Sequence, residues 1–274
     1  MTAFYGNQEQ NTIGSAIDGY VEEIRLRGYA VIPNVFSAQE LEVWRTKIDA
    51  VYAQQEKEFG GPEALDAIQE KDVARAPLIY DRDFLGFAMQ PIVMQVVHKI
   101  LGEWAILSLQ NAIINRPNTK HHQSTWHRDL PHAKFIALSP IAINALYAID
   151  AFSEATGGTQ ILPFTHQSLT LPSAEFIEKN AITANVPAGS VILFDSLIFQ
   201  RAGVNTATIT RRAVNQLYTL SLIKQQYDFP AVFGDPSQFD EPTQRMLGYP
   251  SRVLRDDKEF RAVRAARLKK AKAA

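Results

Sequence analysis

The stretch ITANVPAGSVILFDSLIFQRAGVN, residues 182–205, shows the pattern that decides the fold. It contains two apolar strand candidates, 182–186 and 191–199, with turn residues at 187–189 between them and a second turn at 203–205. Further apolar runs of this kind, also bounded by turn residues, occur at residues 106–114, 141–149, 159–162 and 213–222. Many short strands at such spacing predict an all-β sandwich or barrel. Helices do not alternate with these strands, which argues against a parallel α/β sheet.

Helical patterns flank this β-rich region. Residues 14–27 carry apolar side chains at roughly helical spacing, and Gly28 stops that helix before a short strand at 29–32. Ser37 and Glu40 have the spacing of a capping box at the start of a long helix. Residues 63–104 predict further short helices with loops, and the last residues, from about 256, predict a terminal helix.

Composition and charge exclude several classes of function. The 28 basic and 29 acidic residues give a net charge of −1, so no overall basic field attracts nucleic acid or an anionic membrane. Cysteine is absent, which excludes disulfides, thiolate metal sites and cysteine nucleophiles. The polar N-terminus and the lack of a long apolar run predict a cytoplasmic protein without a membrane span. A small molecule is therefore the expected partner.

One short motif carries most of the chemistry. His127 and Asp129 are separated by one residue, and on an extended strand such residues share a face. They would form two thirds of a 2-His-1-carboxylate iron site, although a bare triplet more often means an aspartate that orients a nearby histidine. Arg211 follows Gln200 by eleven positions, on a later strand, and its guanidinium fork matches a carboxylate.

The sequence resembles the phytanoyl-CoA dioxygenase (PhyH) family of Fe(II)/2-oxoglutarate-dependent oxygenases. The stretches that carry the resemblance are 27–33, 126–129, 157–166, 202–205 and 211–212. The resemblance implies a mainly β protein with flanking helices and a double-stranded β-helix core, a cupin-like jelly roll. It also implies one domain over residues 1–274, with a mainly helical part at 1–104, the core at 105–225, and C-terminal loops and a helix at 226–274.

The resemblance further implies Fe(II), 2-oxoglutarate as cosubstrate, and the hydroxylation or a related oxidation of a C–H bond in a small molecule. Carried over position by position, His127 and Asp129 match the first two iron ligands. Arg211 matches the arginine that binds the distal carboxylate of 2-oxoglutarate. Asn111, Asn115 and Ser124 lie where such enzymes contact the cosubstrate.

The sequence departs from the family at the second iron-binding histidine, where it has Gln200, and at a neighbouring hydroxyl position, where it has Ala202. An amide oxygen is a neutral and weaker donor than imidazole. Three interpretations are open: Gln200 ligates the iron directly or through water, His121 or His122 replaces the missing ligand, or the site has lost catalysis. Retained iron binding, which the first two interpretations share, is favoured over loss of catalysis because His127, Asp129 and Arg211 are all present.

Three functions follow from these interpretations. The leading hypothesis is an iron- and 2-oxoglutarate-dependent oxygenase. The second is a catalytically degenerate family member that acts as a binding protein or partner subunit, and Gln200 motivates it. The third is a metal-dependent isomerase of the cupin type, in which Arg211 has no evident role. His132, just beyond the metal motif, is a further candidate for the pocket entrance.

Overall fold

Antiparallel strands form the centre of the protein, and helices lie outside them. The structure is a computed structural model that describes residues 10–119, 121–130 and 135–273. The strands are β1 (Tyr29–Ile32), β2 (Val73–Arg75), β3 (Ile106–Asn115), β4 (Ala142–Ala148), β5 (Gln160–Leu162), β6 (Ile182–Thr183), β7 (Val191–Asp195), β8 (Phe199–Arg201) and β9 (Arg211–Thr219). The α-helices are α1 (Ala16–Arg27), α2 (Ala38–Phe59), α3 (Pro62–Ala67), α4 (Leu85–Ala88), α5 (Pro91–Leu101), α6 (Ala174–Asn180), α7 (Phe229–Phe233), α8 (Glu241–Met246) and α9 (Asp257–Ala273).

Two sheets make up the core. The large sheet has the strand order β1-β7-β4-β9-β3-β2, and the small sheet has the order β6-β5-β8. All of the strand pairs within the two sheets are antiparallel. Buried apolar side chains from both sheets form one cluster, which includes Ile113, Leu146, Ile161, Ile192 and Ile198. The two sheets therefore pack face to face, as a sandwich requires.

The other face of the large sheet packs against the helices. Because side chains alternate along a strand, Leu146 of β4 joins the cluster between the sheets while its neighbour Tyr147 joins the cluster under the helices. The Tyr147 ring lies 5.0 Å from the ring of Phe87, and its hydroxyl donates to the Phe87 carbonyl. Burial on both faces explains why these strands are almost continuously apolar in sequence.

Local sequence signals are confirmed at the helix ends. The Ser37 hydroxyl accepts from the Glu40 N–H, and the Glu40 carboxylate accepts from the Ser37 N–H, which is the predicted capping box. Gly28 ends α1 in the left-handed conformation, with φ of 91°. These contacts fix where the helices begin and end without help from distant residues.

Two sequence predictions of strands are wrong in detail. The predicted single strand 191–199 is divided, because the Asp195 carboxylate accepts from the Leu197 N–H and closes a turn there. This turn takes the chain from the large sheet to the small one. The structure also adds β2 within 63–104, a region predicted as helix and loop. β2 exists because it pairs with β3, a contact that its own three residues do not reveal.

Within the part of the chain that the structure describes, no single helix is long and apolar enough to cross a membrane. One pair, Arg82–Ala88 and Pro91–Leu101, passes that test only when the two are taken together, across a bend of 55°.

Candidate active site

The segment that carries His127 and Asp129, here called the metal motif, meets β8 at one end of the space between the sheets. His127 and Gln200 form an isolated antiparallel bridge and exchange two backbone hydrogen bonds of 3.0 Å. Residues paired in this way place their side chains next to each other on one face. Nε2 of Gln200 lies 2.7 Å from Nε2 of His127 and 3.1 Å from Oδ1 of Asp129. Nε2 of His127 lies 3.5 Å from Oδ1 of Asp129. The three predicted metal ligands therefore converge.

The histidine is oriented by a backbone carbonyl. Nδ1 of His127 lies 2.7 Å from the carbonyl oxygen of Thr125, so the imidazole keeps its proton on Nδ1 and presents the Nε2 lone pair to Gln200 and Asp129. Burial lowers the pKa of His127, but the hydrogen bond and charge of Asp129, together with the Thr125 carbonyl, outweigh burial and raise that pKa above its ordinary value.

The carboxylate is oriented by two asparagines that the sequence interpretation missed. Oδ2 of Asp129 accepts from Nδ2 of Asn144 at 2.6 Å and from Nδ2 of Asn215 at 3.4 Å. Asn144 is in turn fixed by the Ser196 hydroxyl, which donates to its Oδ1 at 2.6 Å. These contacts hold Oδ2 and leave Oδ1 towards His127 and Gln200. Asn144 is a polar residue within the otherwise apolar strand β4, which is the pattern that marks it in the sequence, whereas Asn215 lies beside Gln216 in a strand with several polar residues.

Arg128 points away from the cluster, as alternation along the chain predicts. Its guanidinium donates to the carbonyl oxygens of Thr165 and Ser168 and lies 4.1 Å above the ring of Phe199. Phe199 precedes Gln200 on β8, so Arg128 holds the segment of His127 and Asp129 against the strand that carries Gln200.

Arg211 lies deeper between the sheets and is 2% exposed. Nη2 donates to the Gly157 carbonyl at 2.6 Å, the guanidinium carbon lies 4.6 Å above the ring of Phe152, and Nε has no hydrogen-bond partner. No ion pair of the described residues includes Arg211. Burial lowers the pKa of Arg211 to about 10, although the charge of Asp150 opposes this effect, so the group stays cationic at neutral pH. A buried cation without a carboxylate is suited to bind an anionic ligand.

The wall beside Arg211 is built around a close backbone approach. Asn115 lies directly opposite Arg211 in the β3–β9 register, and its Nδ2 donates to the Gly203 carbonyl at 3.0 Å. Gly157 has φ of +69°, and a Cβ on it would lie 2.6 Å from the Gly203 oxygen and 2.7 Å from Nδ2 of Asn115. Only glycine fits here, and this places its carbonyl against Arg211.

The other predicted cosubstrate residues occupy different positions. Asn111 lies on the same face of β3 as Asn115 and opposite Arg75 of β2, and with its amide in the orientation that satisfies both polar atoms, its oxygen accepts from Nη1 of Arg75 at 2.9 Å. Ser124 uses its hydroxyl within its own turn, donating to the carbonyl oxygen of His121 at 2.6 Å. Neither side chain contacts Arg211 directly in the described hydrogen bonds.

His121 and His122 form a separate wall. Their rings stack at 4.5 Å and line a polar cavity of about 360 Å³ together with Thr125 and Asp72. Burial lowers the pKa of His121 to about 3, so its ring is neutral. No group of three or more His, Cys, Asp or Glu side chains among the described residues lies close enough to share an ion. The structure thus gives no support to His121 or His122 as the replacement ligand, while His132 lies outside the described residues.

Comparison with known proteins identifies the family of this chain. A family model described as phytanoyl-CoA dioxygenase (PhyH) matches residues 24–213. The chain belongs to the phytanoyl-CoA dioxygenase family. An uncharacterized protein of Mycobacterium tuberculosis is 33% identical over 265 residues, which cover 92% of this chain and 93% of that protein. The dioxygenase hkm4 of Aspergillus hancockii is 23% identical over 206 residues, covering 69% of this PhyH-family chain and 66% of its relative.

Solved structures show the same fold. The epimerase SnoN, in complex with Fe3+, alpha ketoglutarate and nogalamycin RO, aligns with a TM-score of 0.60 at 14% identity, covering 83% of this chain and 93% of SnoN. The alpha-ketoglutarate-dependent carbocyclase SnoK of nogalamycin biosynthesis aligns with a TM-score of 0.58 at 16% identity, covering 74% and 83%. The predicted jelly-roll core with flanking helices and the predicted family are therefore confirmed.

Proposed function

We propose that this protein is an Fe(II)- and 2-oxoglutarate-dependent oxygenase that hydroxylates or otherwise oxidises a small molecule. One observation carries the proposal. His127, Asp129 and Gln200 converge, and Arg211, on the same face of β9 as Asn215, is buried without a carboxylate partner among the described residues. Membership of the PhyH family and the Fe3+ and alpha ketoglutarate held by SnoN support the same assignment of cofactor and cosubstrate.

The donor set fits a metal ion. Two ligands about 2.1 Å from a metal, at right angles to each other, are about 3 Å apart. The three distances between donor positions here, 2.7, 3.1 and 3.5 Å, span that value. Turning the Gln200 amide over brings Oε1 to the position of Nε2 and presents an oxygen ligand. Fe(II) would be held by His127, Asp129 and Gln200. It would activate oxygen at the coordination positions that these three side chains leave open.

Arg211 would hold the distal carboxylate of 2-oxoglutarate. Its desolvation disfavours the charged form, and a carboxylate that pairs with the guanidinium offsets this cost. The Gly157 carbonyl and the Phe152 ring fix the plane of the guanidinium, so the free donors keep one direction. Asn115 donates to the Gly203 carbonyl and so holds the wall beside Arg211 together. Asn111 and Ser124 would line the entrance to the site.

The direct test is cosubstrate chelation without oxygen. We expect the protein with Fe(II) and 2-oxoglutarate to develop the visible charge-transfer absorption of the chelate, together with a measurable heat of 2-oxoglutarate binding. The variant Asp129→Asn should bind the metal much more weakly and lose the band. If the wild type shows neither the band nor the heat, the oxygenase proposal is wrong.

A second function is favoured by the hydrogen bonds of Gln200. Its Nε2 donates to both His127 and Asp129, so the three side chains satisfy one another as they stand. Such a site suits a degenerate binding protein. The variant Gln200→His separates the two functions. If the protein is a degenerate enzyme, the variant gains 2-oxoglutarate turnover. If the wild type already turns over 2-oxoglutarate and the variant turns it over equally or more slowly, degeneracy is excluded.

A further inference from the structure

A second cavity, of about 430 Å³, lies between α2, α3 and β2. Its walls are mainly apolar and include Leu65, Ile68, Ile79, Tyr80 and Tyr227. Glu70 and Arg75 also line it and form an ion pair in which both Nε and Nη2 of the arginine donate to the carboxylate. The cavity thus combines a large apolar wall with one fixed polar point, which is the usual composition of a small-molecule site.

A row of paired residues in the large sheet runs from the cavity towards the candidate metal site. Arg75 on β2 lies opposite Asn111 on β3, and Asn111 lies opposite Asn215 on β9. Asn215 in turn reaches Oδ2 of Asp129. Adjacent strands are about 4.8 Å apart, so two strand spacings, or about 10 Å, separate the backbones of Arg75 and Asn215.

Tyr227 joins the same two regions from the other side. It lines the cavity and also packs against the cluster of Leu109, Ala142 and Leu217. Leu130, which follows Asp129 in the chain, packs on that cluster too. One wall residue of the cavity and the residue that follows Asp129 therefore pack on the same apolar cluster.

The backbone around the ion pair is held in an unusual conformation. Gln69, Asp72 and Ala76 have φ of 59°, 65° and 42°, values that are uncommon for residues other than glycine. Gln55 fixes the end of this segment, because its side chain accepts from the Arg75 N–H and donates to the Arg75 carbonyl. An ion pair of 2.6 Å between Arg116 and Asp72 fixes its middle. Strained backbone that surrounding contacts enforce is concentrated at functional sites.

The charge of the cavity limits what it binds. The Glu70 carboxylate pairs with Nε and Nη2 of Arg75, so the positive charge of Arg75 is already compensated. The other charged side chain that lines the cavity, among the described residues, is Glu58. An anionic ligand such as a carboxylate or phosphate would meet no free cation there. Glu70 keeps lone pairs that accept from a hydroxyl, and Tyr227 offers a phenol.

From these contacts we propose that the cavity is the substrate pocket, and that it takes an uncharged, largely apolar molecule whose hydroxyl group donates to the Glu70 carboxylate of the Glu70–Arg75 pair. That a bound molecule is oxidised rests on the proposed function. The class of molecule that binds is argued from the contacts of the cavity alone. The proposal predicts that a molecule binds poorly if it must place an anionic group in this cavity. Acyl thioesters whose phosphates would lie in the cavity belong to this class.

A matched pair of probes tests the proposal: 2-naphthol, which is neutral at neutral pH, and 2-naphthoate, which has the same rings and a carboxylate. Binding is measured by fluorescence titration of the metal-free protein and again with Fe(II) and 2-oxoglutarate without oxygen. We expect the wild type to bind 2-naphthol at least tenfold more tightly than 2-naphthoate. In Glu70→Gln the charge of Arg75 is uncompensated, and the preference should reverse.

Two further variants keep the result interpretable. Glu58→Gln removes the same charge from the same cavity but from a residue bound to Tyr80 rather than to Arg75, so the preference for 2-naphthol should persist. The double variant Glu70→Gln with Arg75→Met removes both charges and should restore that preference, which shows that the pocket still folds. Equal binding of the two probes, no binding of either, or a preference unaffected by Glu70→Gln overturns the pocket proposal. The chelate absorption is independent of these outcomes, so failure of the oxygenase proposal is recognised separately.

Discussion

Replacement of Arg211 by methionine separates a ligand-binding role from a structural one. The change removes one charge-assisted hydrogen bond to Gly157, worth about 1.5–3 kcal/mol, and a cation–π contact with Phe152, worth about 0.5–2 kcal/mol. It also removes a buried charge that no carboxylate pairs with, and this relieves several kcal/mol of desolvation. The opposing effects predict a change of less than about 2 kcal/mol in the free energy of unfolding.

The effect of Arg211→Met on 2-oxoglutarate is expected to be much larger. Removing one partner of a buried, hydrogen-bonded charge pair costs about 2–5 kcal/mol, which corresponds to a loss of affinity of about 30-fold to 5,000-fold. The assay combines urea unfolding of the metal-free protein with calorimetric titration of 2-oxoglutarate into the anaerobic Fe(II) protein. Metal affinity, measured alongside, should stay within a factor of a few because Arg211 is not a ligand.

The neighbouring arginine provides the control. Arg212 pairs with Asp49 and Asp150 on the other face of β9. Arg212→Met should therefore lower stability and leave the affinity for 2-oxoglutarate unchanged. The reasoning is refuted if Arg211→Met unfolds more easily by about 4 kcal/mol or more while its affinity for 2-oxoglutarate equals that of the wild type, since that is the behaviour of a purely structural cation.

Three other changes have defined outcomes. Asn144→Ala frees Oδ2 of Asp129 and should weaken Co(II) binding about 10-fold to 100-fold, as measured by competition with a chelating dye; unchanged affinity contradicts the orienting role. Arg128→Met removes the donors to two carbonyls and should lower the free energy of unfolding by about 2–4 kcal/mol in urea, with Arg82→Met, another arginine stacked on aromatic rings, expected to cost less. His121 is neutral when folded because burial lowers its pKa to about 3, so stability is highest above the ordinary histidine pKa and falls as the pH drops below it, by about 1.4 kcal/mol per pH unit. His121→Gln should flatten that slope between about pH 6 and 4, and an identical slope in both proteins would show that another group is responsible.

The fold and part of the site were predictable because their signals are local. Strand alternation, turn residues and the Ser37–Glu40 capping box act within a few residues, so they are visible in the sequence. The spacing of His127 and Asp129 belongs to the same category. The three-residue strand β2 was not predictable, since its hydrogen bonds come from β3.

What the tertiary structure alone decided is how distant residues meet. Gln200 reaches His127 across 73 positions, and Asn144 and Asn215 meet at Asp129 only because β4 and β9 are neighbours in the large sheet. The burial of Arg211 likewise depends on the packing of both sheets. The sequence by itself determined which chemical groups are present and which side of a strand they share. Register between strands and exclusion of water are properties of the assembled chain, and they decide whether those groups form one site.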